Sequence, residues 1–149
     1  NRIPGRNRPD FDELLGAWGI APGASDLEIL ARTFGKLPTD SFEFIPEIEP
    51  VRGIAYYSDI VGFQRADHSQ ALREIPLGTV LDLVRERENP VDATALKVMH
   101  DGLHVGYIKR VHCASIVEAT ESGIQVTATL DRVVKNGSVK EAVLVIRYL

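Results

Sequence analysis

Residues 89–110 read NPVDATALKVMHDGLHVGYIKR, and this stretch determines how the chain is organised. Asn89-Pro90 is a turn-initiating pair, and the carboxylate of Asp92 can accept hydrogen bonds from nearby backbone donors. Asp101-Gly102 then supplies the positive φ angles of a two-residue hairpin between two runs of alternating apolar residues. The stretch therefore predicts a turn followed by an antiparallel pair of strands.

The second of these strands ends in an aromatic residue and two cations, Tyr107, Lys109 and Arg110. The hairpin brings them to one end of a sheet, close to the turn that contains Asn89 and Asp92. An aromatic ring beside cations suits an unstacked nucleotide and its phosphate. These five residues are the first candidates for a binding site.

Alternating apolar residues recur along the rest of the second half and predict further strands. The predicted strands are residues 52–58 with a continuation at 60–63, 77–87, 95–100, 103–107, 124–134 and 139–148. A helix is predicted at 112–120, and the polar segment 65–73 is predicted to be a loop with a helical turn. Long antiparallel strands with one inserted helix are typical of a small barrel or strongly curled sheet of the α+β class.

The first fifty residues have a different pattern. Residues 1–9 contain three arginines between prolines and a glycine, which predicts a flexible linker or tail. Helical spacing predicts helices at 10–18 and 25–34, the second opened by a Ser25/Glu28 capping box, and 41–49 looks extended. Because two such short helices are marginal alone, residues 10–50 are predicted to form a leader that packs on the module behind them. Residues 10–35 could also dock a protein partner.

Charge and composition limit the function classes. The 149 residues carry a net charge of −4, with 5 Lys/Arg against 9 Asp/Glu in residues 1–50 and 12 of each in residues 51–149. A neutral second half favours a small contact with a strand end over a long electrostatic track along duplex DNA. No segment is long and apolar enough to span a bilayer, so we expect no membrane association. An intracellular location is expected, cytoplasmic in a bacterium or phage-infected cell and nuclear in a eukaryote.

No constellation of catalytic residues is visible. There is no phosphate-cradling glycine loop, and the single cysteine, Cys113, excludes an internal disulfide and a cysteine-based zinc site. The four histidines lack metal-ligand spacing. Carboxylates cluster near the turn, at Asp82, Glu86, Glu88 and Asp92, but follow no nuclease spacing. We therefore expect no enzyme activity, no metal and no cofactor.

The second half also resembles a known family. Gly53-Ile54-Ala55-Tyr56-Tyr57, then Val80 to Val98 with the Asn-Pro-x-Asp turn, then Asp101 to Arg110 follow the motif order of a HIRAN domain, over about residues 51–149. The resemblance implies a modified OB-like barrel with inserted helices and recognition of a single-stranded DNA 3′ end. It associates the module with DNA repair; zinc binding and hydrolase activity enter only as properties of the family and of its parent ATPases.

The resemblance also assigns roles to residues. It makes Tyr56 a base-stacking platform and Asp92, in the turn with Asn89, the acceptor of the terminal 3′-hydroxyl. It makes Lys109 and Arg110 phosphate contacts, with Tyr107 in place of a family histidine. Strand alternation then predicts that Tyr57 faces the core.

Several positions depart from the family pattern. Val91 stands where a DNA-binding member has a tyrosine, Ala55 stands where an arginine precedes the tyrosine pair, and Ser138 and Val139 lie where a further aromatic is expected. Because stacking of a base on an aromatic ring contributes roughly 1–3 kcal/mol, one or two missing rings could reduce affinity by about one to four orders of magnitude.

Two function classes follow. The first is a non-enzymatic module that binds single-stranded DNA at a free 3′ end and targets a larger DNA-processing system. The second is a protein–protein interaction module, in which exposed barrel edges or the helices of residues 10–35 dock a partner. In that case the Asn-Pro turn only closes a loop, Tyr56 only packs the barrel and the two cations only face solvent. A smaller remainder covers an unseen enzyme or chemistry elsewhere in a parent protein.

Overall fold

The computed structural model describes residues 2–37, 41–64 and 66–149. The chain divides into two compact units, the first extending to Glu47 and the second running from Ile48 to Leu149. In chain order the elements are α1 (Phe11–Ala17), α2 (Asp26–Thr33), β1 (Ala55–Val61), α3 (Ala66–Glu74), β2 (Val80–Arg85), β3 (Leu96–His100), β4 (Leu103–Ile108), α4 (Arg110–Glu121), β5 (Val126–Asn136) and β6 (Ser138–Tyr148). Within the described residues, no helix combines the length and the apolar character that crossing a bilayer requires.

The first unit is a pair of short helices with a small core. Its buried apolar residues are Phe11, Leu15, Ile20 and Ile29. The predicted capping box is confirmed, since the Ser25 hydroxyl accepts from the Glu28 amide and the Glu28 carboxylate accepts from the Ser25 amide. Both helices lie within the predicted bounds, whereas residues 41–49 contain no strand.

The second unit is a closed six-stranded barrel in the order β1-β4-β3-β2-β5-β6. Every neighbouring pair is antiparallel. The barrel with its inserted helices α3 and α4 confirms the predicted α+β, OB-like fold. The predicted Asp-Gly hairpin is also confirmed, because Asp101 and Gly102 have φ angles of 47° and 78°.

Two strands close the barrel by changing partners along their length. Residues 55–59 of β1 pair with β6, whereas Ile60 and Val61 pair with β4. Val80 and Leu81 of β2 pair with β5, whereas residues 82–85 pair with β3. The core between these walls is aliphatic, with Val98, Val105, Leu130 and Leu144 almost fully buried.

The barrel wall is tightest at Gly106 of β4. A Cβ atom there would lie 2.5 Å from Ile60 Cγ2 and 2.7 Å from the carbonyl oxygen of Val61, and the φ angle is 151°. Only glycine fits both the space and the backbone conformation. This residue therefore allows β1 and β4 to approach each other at the seam of the barrel.

Three sequence predictions need correction. Segment 65–73 is predicted to be a loop with a helical turn, whereas Ala66–Glu74 is a helix of nine residues, and Arg65 lies outside the described residues. Leu72 of this helix is fully buried, and so is most of Ile75, which follows it; this spacing of apolar residues is obscured by the polar composition of the segment. The strand predicted from residue 77 begins only at Val80, since Gly78 has a φ of 89°. Lys109 and Arg110 do not end a strand; they cap and begin α4.

Candidate nucleic-acid interface

The Asn89 turn is fixed by its own side chains. Asn89 Oδ1 accepts hydrogen bonds from the amides of Val91 at 3.0 Å and Asp92 at 3.1 Å. Asp92 Oδ1 accepts from the amide and the hydroxyl of Thr94, at 2.8 Å and 2.6 Å. Hydrogen bonds of this kind, from backbone amides to nearby side chains, explain why Asn and Asp are favoured in turns. They place the remaining oxygen of Asp92, Oδ2, at a defined point beside the turn.

Glu86 connects this turn to β4 and β3. Its Oε2 accepts from Asn89 Nδ2 at 2.7 Å and from the Tyr107 hydroxyl at 3.0 Å, and its Oε1 pairs with Lys97 Nζ at 2.6 Å. The hydrogen bond from Lys97, followed by the one from Asn89, lowers the pKa of Glu86 to about 2. The sequence placed Glu86 among the carboxylates near the turn but did not identify this bridging role.

Arg110 provides an accessible cation at the same place. Its side chain is 74% exposed, and its Nε lies 3.6 Å from Asp92 Oδ2. It is the first residue of α4, which has no acidic residue in its first turn. A helix N-terminus carries partial positive charge, so a cation at this position gains no favourable interaction with the helix dipole. This arrangement favours an anionic group of a ligand.

Asp92 is negatively charged beside that cation. Hydrogen bonds from Thr94, and to a smaller extent the charge of Arg110, hold the pKa of the Asp92 carboxyl below its usual range. The carboxylate is thus ionised at neutral pH, with one oxygen held by Thr94 and the other directed toward Arg110. An ionised Oδ2 can accept a hydrogen bond from a ligand hydroxyl and repels a phosphate.

The structure brings four of the six predicted site residues into one connected group. Asn89, Asp92, Tyr107 and Arg110 are joined through Glu86 and the turn, and we call these five residues the turn network. Tyr107 is half-buried, and its ring packs edge-on to His104 at a centroid distance of 4.6 Å. On the outer face of the barrel it lies in register between Lys97 and Val61.

Lys109 lies apart from this group, contrary to its predicted role. Its Nζ is 2.9 Å from Asp59 Oδ2, and the two side chains are only 16% and 10% exposed. Asp59 belongs to β1, so the pair joins the start of α4 to the barrel wall. An ammonium group held in this way is engaged with the barrel wall, and removing it from a largely buried carboxylate is costly.

Tyr56 is also not where its predicted stacking role requires it to be. It is only 7% exposed, and its hydroxyl lies 3.0 Å from that of Tyr148, which in turn lies 2.8 Å from Ser115 Oγ. Burial raises the pKa of Tyr56 far above its ordinary value. Tyr57 is the half-buried residue of the pair, so the predicted alternation along β1 is reversed. Tyr56 pairs with Ile146 on the inner face of the barrel, which explains its burial.

A separate groove of about 600 Å³ lies between β2, β5 and α4. It is lined by none of the six predicted site residues. No group of three or more His, Cys, Asp or Glu residues in the described part of the chain is arranged to hold a metal ion.

Glu86 gives the turn network a measurable pH dependence. Its folded pKa lies below the ordinary 4.5, so its contribution to stability is present above pH 4.5 and is lost as the pH falls toward about 2. We expect the wild type to be more stable than Glu86→Gln at pH 6, with the difference shrinking on acidification. Urea unfolding at several pH values measures this difference in the free energy of unfolding.

The matched control is Glu88→Gln, which removes an exposed carboxylate from the same loop. It should reduce stability much less than Glu86→Gln at pH 6. A constant difference between wild type and Glu86→Gln across the acid range would contradict the bridging role of the ionised carboxylate.

The second half of the chain is similar to a known family and to solved structures. The family model described as HIRAN domain matches residues 51–146. A crystal structure of a protein from Lactobacillus plantarum is similar at a TM-score of 0.54 and 20% identity, covering 62% of this chain and 91% of that one. The crystal structure of the HIRAN domain of human HLTF aligns with a TM-score of 0.47 and 17% identity, covering 62% of this chain and 74% of that one. No curated protein matches the chain.

Proposed function

This chain belongs to the HIRAN domain family, and from that membership we propose that it is a non-enzymatic nucleic-acid-binding module that recognises single-stranded DNA at a free 3′ end. It would serve as the targeting part of a larger DNA-processing protein or system. The observation that carries this proposal is the exposed Arg110 beside the ionised carboxylate of Asp92. A cation and a hydrogen-bond acceptor, side by side, match the last phosphate and the terminal hydroxyl of a strand.

Each group has a distinct task in this proposal. Arg110, together with the backbone N–H groups at the start of α4, contacts the last internucleotide phosphate. Asp92 Oδ2 accepts the hydrogen bond of the terminal 3′-hydroxyl. A strand ending in a phosphate would place a second anion against that carboxylate and would be disfavoured. The turn network thus recognises the chemical group at the 3′ end of the strand and does not recognise a base sequence.

The bases have a smaller contact surface than in a site with several rings. Val91 is 73% exposed at the turn and offers an apolar contact where a family member carries a tyrosine. Tyr107 contributes one half-buried ring, whose hydroxyl is fixed by Glu86. Because each base–ring stack adds roughly 1–3 kcal/mol, we propose weak binding with little base preference.

The proposal predicts a preference for a free hydroxyl end. In fluorescence anisotropy with short labelled oligonucleotides, the free 3′-hydroxyl form should bind roughly tenfold more tightly than the 3′-phosphorylated form, the effect of one charge-assisted hydrogen bond. Asp92→Asn should remove most of this preference, because the amide keeps the acceptor for Thr94 but loses the charge. Arg110→Gln should weaken binding of both forms and reduce the salt dependence by about one phosphate contact.

The matched control for Arg110 is Lys140→Gln, which removes an exposed cation from β6. It should leave binding and its salt dependence nearly unchanged. Equal and salt-sensitive binding of both oligonucleotide forms, unaffected by Asp92→Asn, would exclude end recognition. Tighter binding of RNA in the same assay would change the proposed substrate class.

A second candidate function rests on the first unit. Leu27 of α2 is 76% exposed, and Phe42 is 73% exposed in the segment that follows. Leu27 lies within residues 10–35 and Phe42 lies outside them, so Leu27 is the apolar side chain that a protein partner docking on residues 10–35 would contact. Leu27→Lys should abolish such an association and leave oligonucleotide binding unchanged. A complete lack of oligonucleotide binding would favour this second candidate.

A further inference from the structure

The barrel opens where β2 and β5 separate. Their ladder contains only the pairs Val80–Thr129 and Leu81–Ala128, although β2 continues to Arg85 and β5 begins at Val126. The 600 Å³ groove lies in this gap, and residues of both strands line it. The part of β2 after Leu81 and the start of β5 before Ala128 therefore border the groove and do not pair with each other.

Strand register shows which backbone groups face the gap. In an antiparallel strand, alternate residues direct both their N–H and C=O groups to the same neighbour. Glu86 N bonds to Ala95 O on the β3 side, so Leu83 and Arg85 direct their groups to the opposite side. Leu149 N bonds to Gln125 O on the β6 side, so Val126 directs its groups away from β6. Leu83, Arg85 and Val126 thus present strand-type donors and acceptors to the groove.

The groove is lined by aliphatic and polar side chains, and its lining contains no aromatic ring. Its lining includes Leu83, Leu96, Ile116, Val117, Ile124 and Val126. Bases bound without sequence preference require aromatic platforms, so this surface does not suit a nucleic-acid strand. Aliphatic walls beside strand edges are instead the surroundings that an added β-strand of a partner uses.

Charged side chains lie at both ends of the groove. Arg85 is paired with Glu121 across the groove, whereas Arg87 is exposed at the same end. Asp82 is exposed and lines the other end of the β2 edge. A partner segment is therefore complementary when it carries an acidic side chain near Arg87 and a basic one near Asp82.

We propose that this groove binds an extended polypeptide segment of a partner protein, which adds as a strand to the edge formed by Leu83 and Arg85. The bound segment has apolar residues at alternate positions and an acidic residue next to Arg87. At about 3.3 Å per residue, the edge from Asp82 to Arg87 accommodates roughly six residues. The groove shares no residue with the turn network, so peptide and nucleic acid would occupy separate sites on one module.

A selection of phage-displayed random heptapeptides on the full chain tests the proposal. The competitor in solution is the variant Thr120→Trp, which places an indole from α4 in the groove. The matched control is the variant Glu118→Trp, whose substitution lies on the exposed side of the same helix. Sequences with alternating apolar residues and an acidic residue should be enriched on the wild type and on Glu118→Trp. Failure to enrich any sequence relative to Thr120→Trp would overturn the proposal.

The enriched peptide is then synthesised with and without N-methyl groups on alternate amides. Methylation of the amides that face β2 should weaken binding roughly tenfold or more, whereas methylation of the other set should have a smaller effect. In 15N NMR spectra, the unmethylated peptide should shift the amides of Leu83, Arg85 and Val126. Equal binding of both methylated forms would overturn strand addition.

Other occupants would show themselves in the same spectra. Shifts of these amides on addition of an oligonucleotide, or on raising the protein concentration alone, would assign the groove to nucleic acid or to a second copy of the chain. Either result would overturn the proposed peptide. Oligonucleotide binding by Thr120→Trp shows that the variant is folded, and it separates failure of this proposal from failure of end recognition.

Discussion

Gly106→Ala is expected to destabilise the barrel by about 3–5 kcal/mol, the combined effect of a strained backbone and an overpacked contact. The new methyl carbon would meet Ile60 Cγ2 at 2.5 Å and the Val61 carbonyl oxygen at 2.7 Å. The carbonyl belongs to the backbone of β1 and cannot rotate away as a side chain could. Relief therefore requires β1 and β4 to move apart where the barrel closes. Urea-induced unfolding, followed by circular dichroism, measures the loss.

Gly102→Ala is the matched control for this variant. Gly102 also has a positive φ angle, 78°, but a Cβ atom there would meet nothing within 4 Å. Its cost should be limited to the backbone conformation, about 1–2 kcal/mol. If the two variants lost the same stability, the close approach at the barrel seam would not be the cause.

The second large effect is expected at Lys109. Lys109→Met removes one partner of a largely buried ion pair and takes the Lys109 ammonium away from the Asp59 carboxylate, which is 10% exposed. Removing one member of such a pair typically costs about 3–5 kcal/mol. Thermal or urea unfolding should show this loss, whereas the neighbouring Arg110→Gln should change stability by less than about 0.5 kcal/mol, since its side chain is largely in solvent.

A double variant separates the charge from the packing of Lys109. Adding Asp59→Asn to Lys109→Met should restore part of the lost stability, because the double variant removes the buried carboxylate along with the ammonium that paired with it. The opposite result for the single variant, unchanged stability together with weakened oligonucleotide binding, would return Lys109 to the phosphate-contact role that the sequence suggested.

Local signals predicted much of the fold correctly. The Ser25/Glu28 capping box and the Asp-Gly hairpin depend on residues close in the chain, and both occur in the structure. The strands of the second unit were recognised from their alternation. Alternation, however, states only that neighbouring residues face opposite ways and not which face is inside. Tyr56 faces the core because β1 pairs with Ile146 and its neighbours in β6, a partner that the sequence of β1 does not specify.

In the candidate site, too, contacts between residues close in the chain were predictable and contacts between distant residues were not. The turn residues Asn89 and Asp92 were recognised because their side chains bond within the turn. The bridging role of Glu86 depends on the registers of β2, β3 and β4, which place Lys97 and Tyr107 beside it. Lys109 and Arg110 were both assigned to phosphate because they match the basic pair of the family motif. In the structure Lys109 pairs with Asp59, whereas Arg110 is largely exposed beside Asp92. This difference depends on where α4 begins.

The pairing of β1 with β6 also affects the time at which this protein can fold during its synthesis. Ala55 and Arg147 are register partners although most of the second unit lies between them along the chain. Contacts of such long sequence separation are slow to form, because a large loop must close before they contribute. While a ribosome is still producing β6, residues 55–59 of β1 lack their strand partners. We therefore expect the barrel to close only after β6 has emerged.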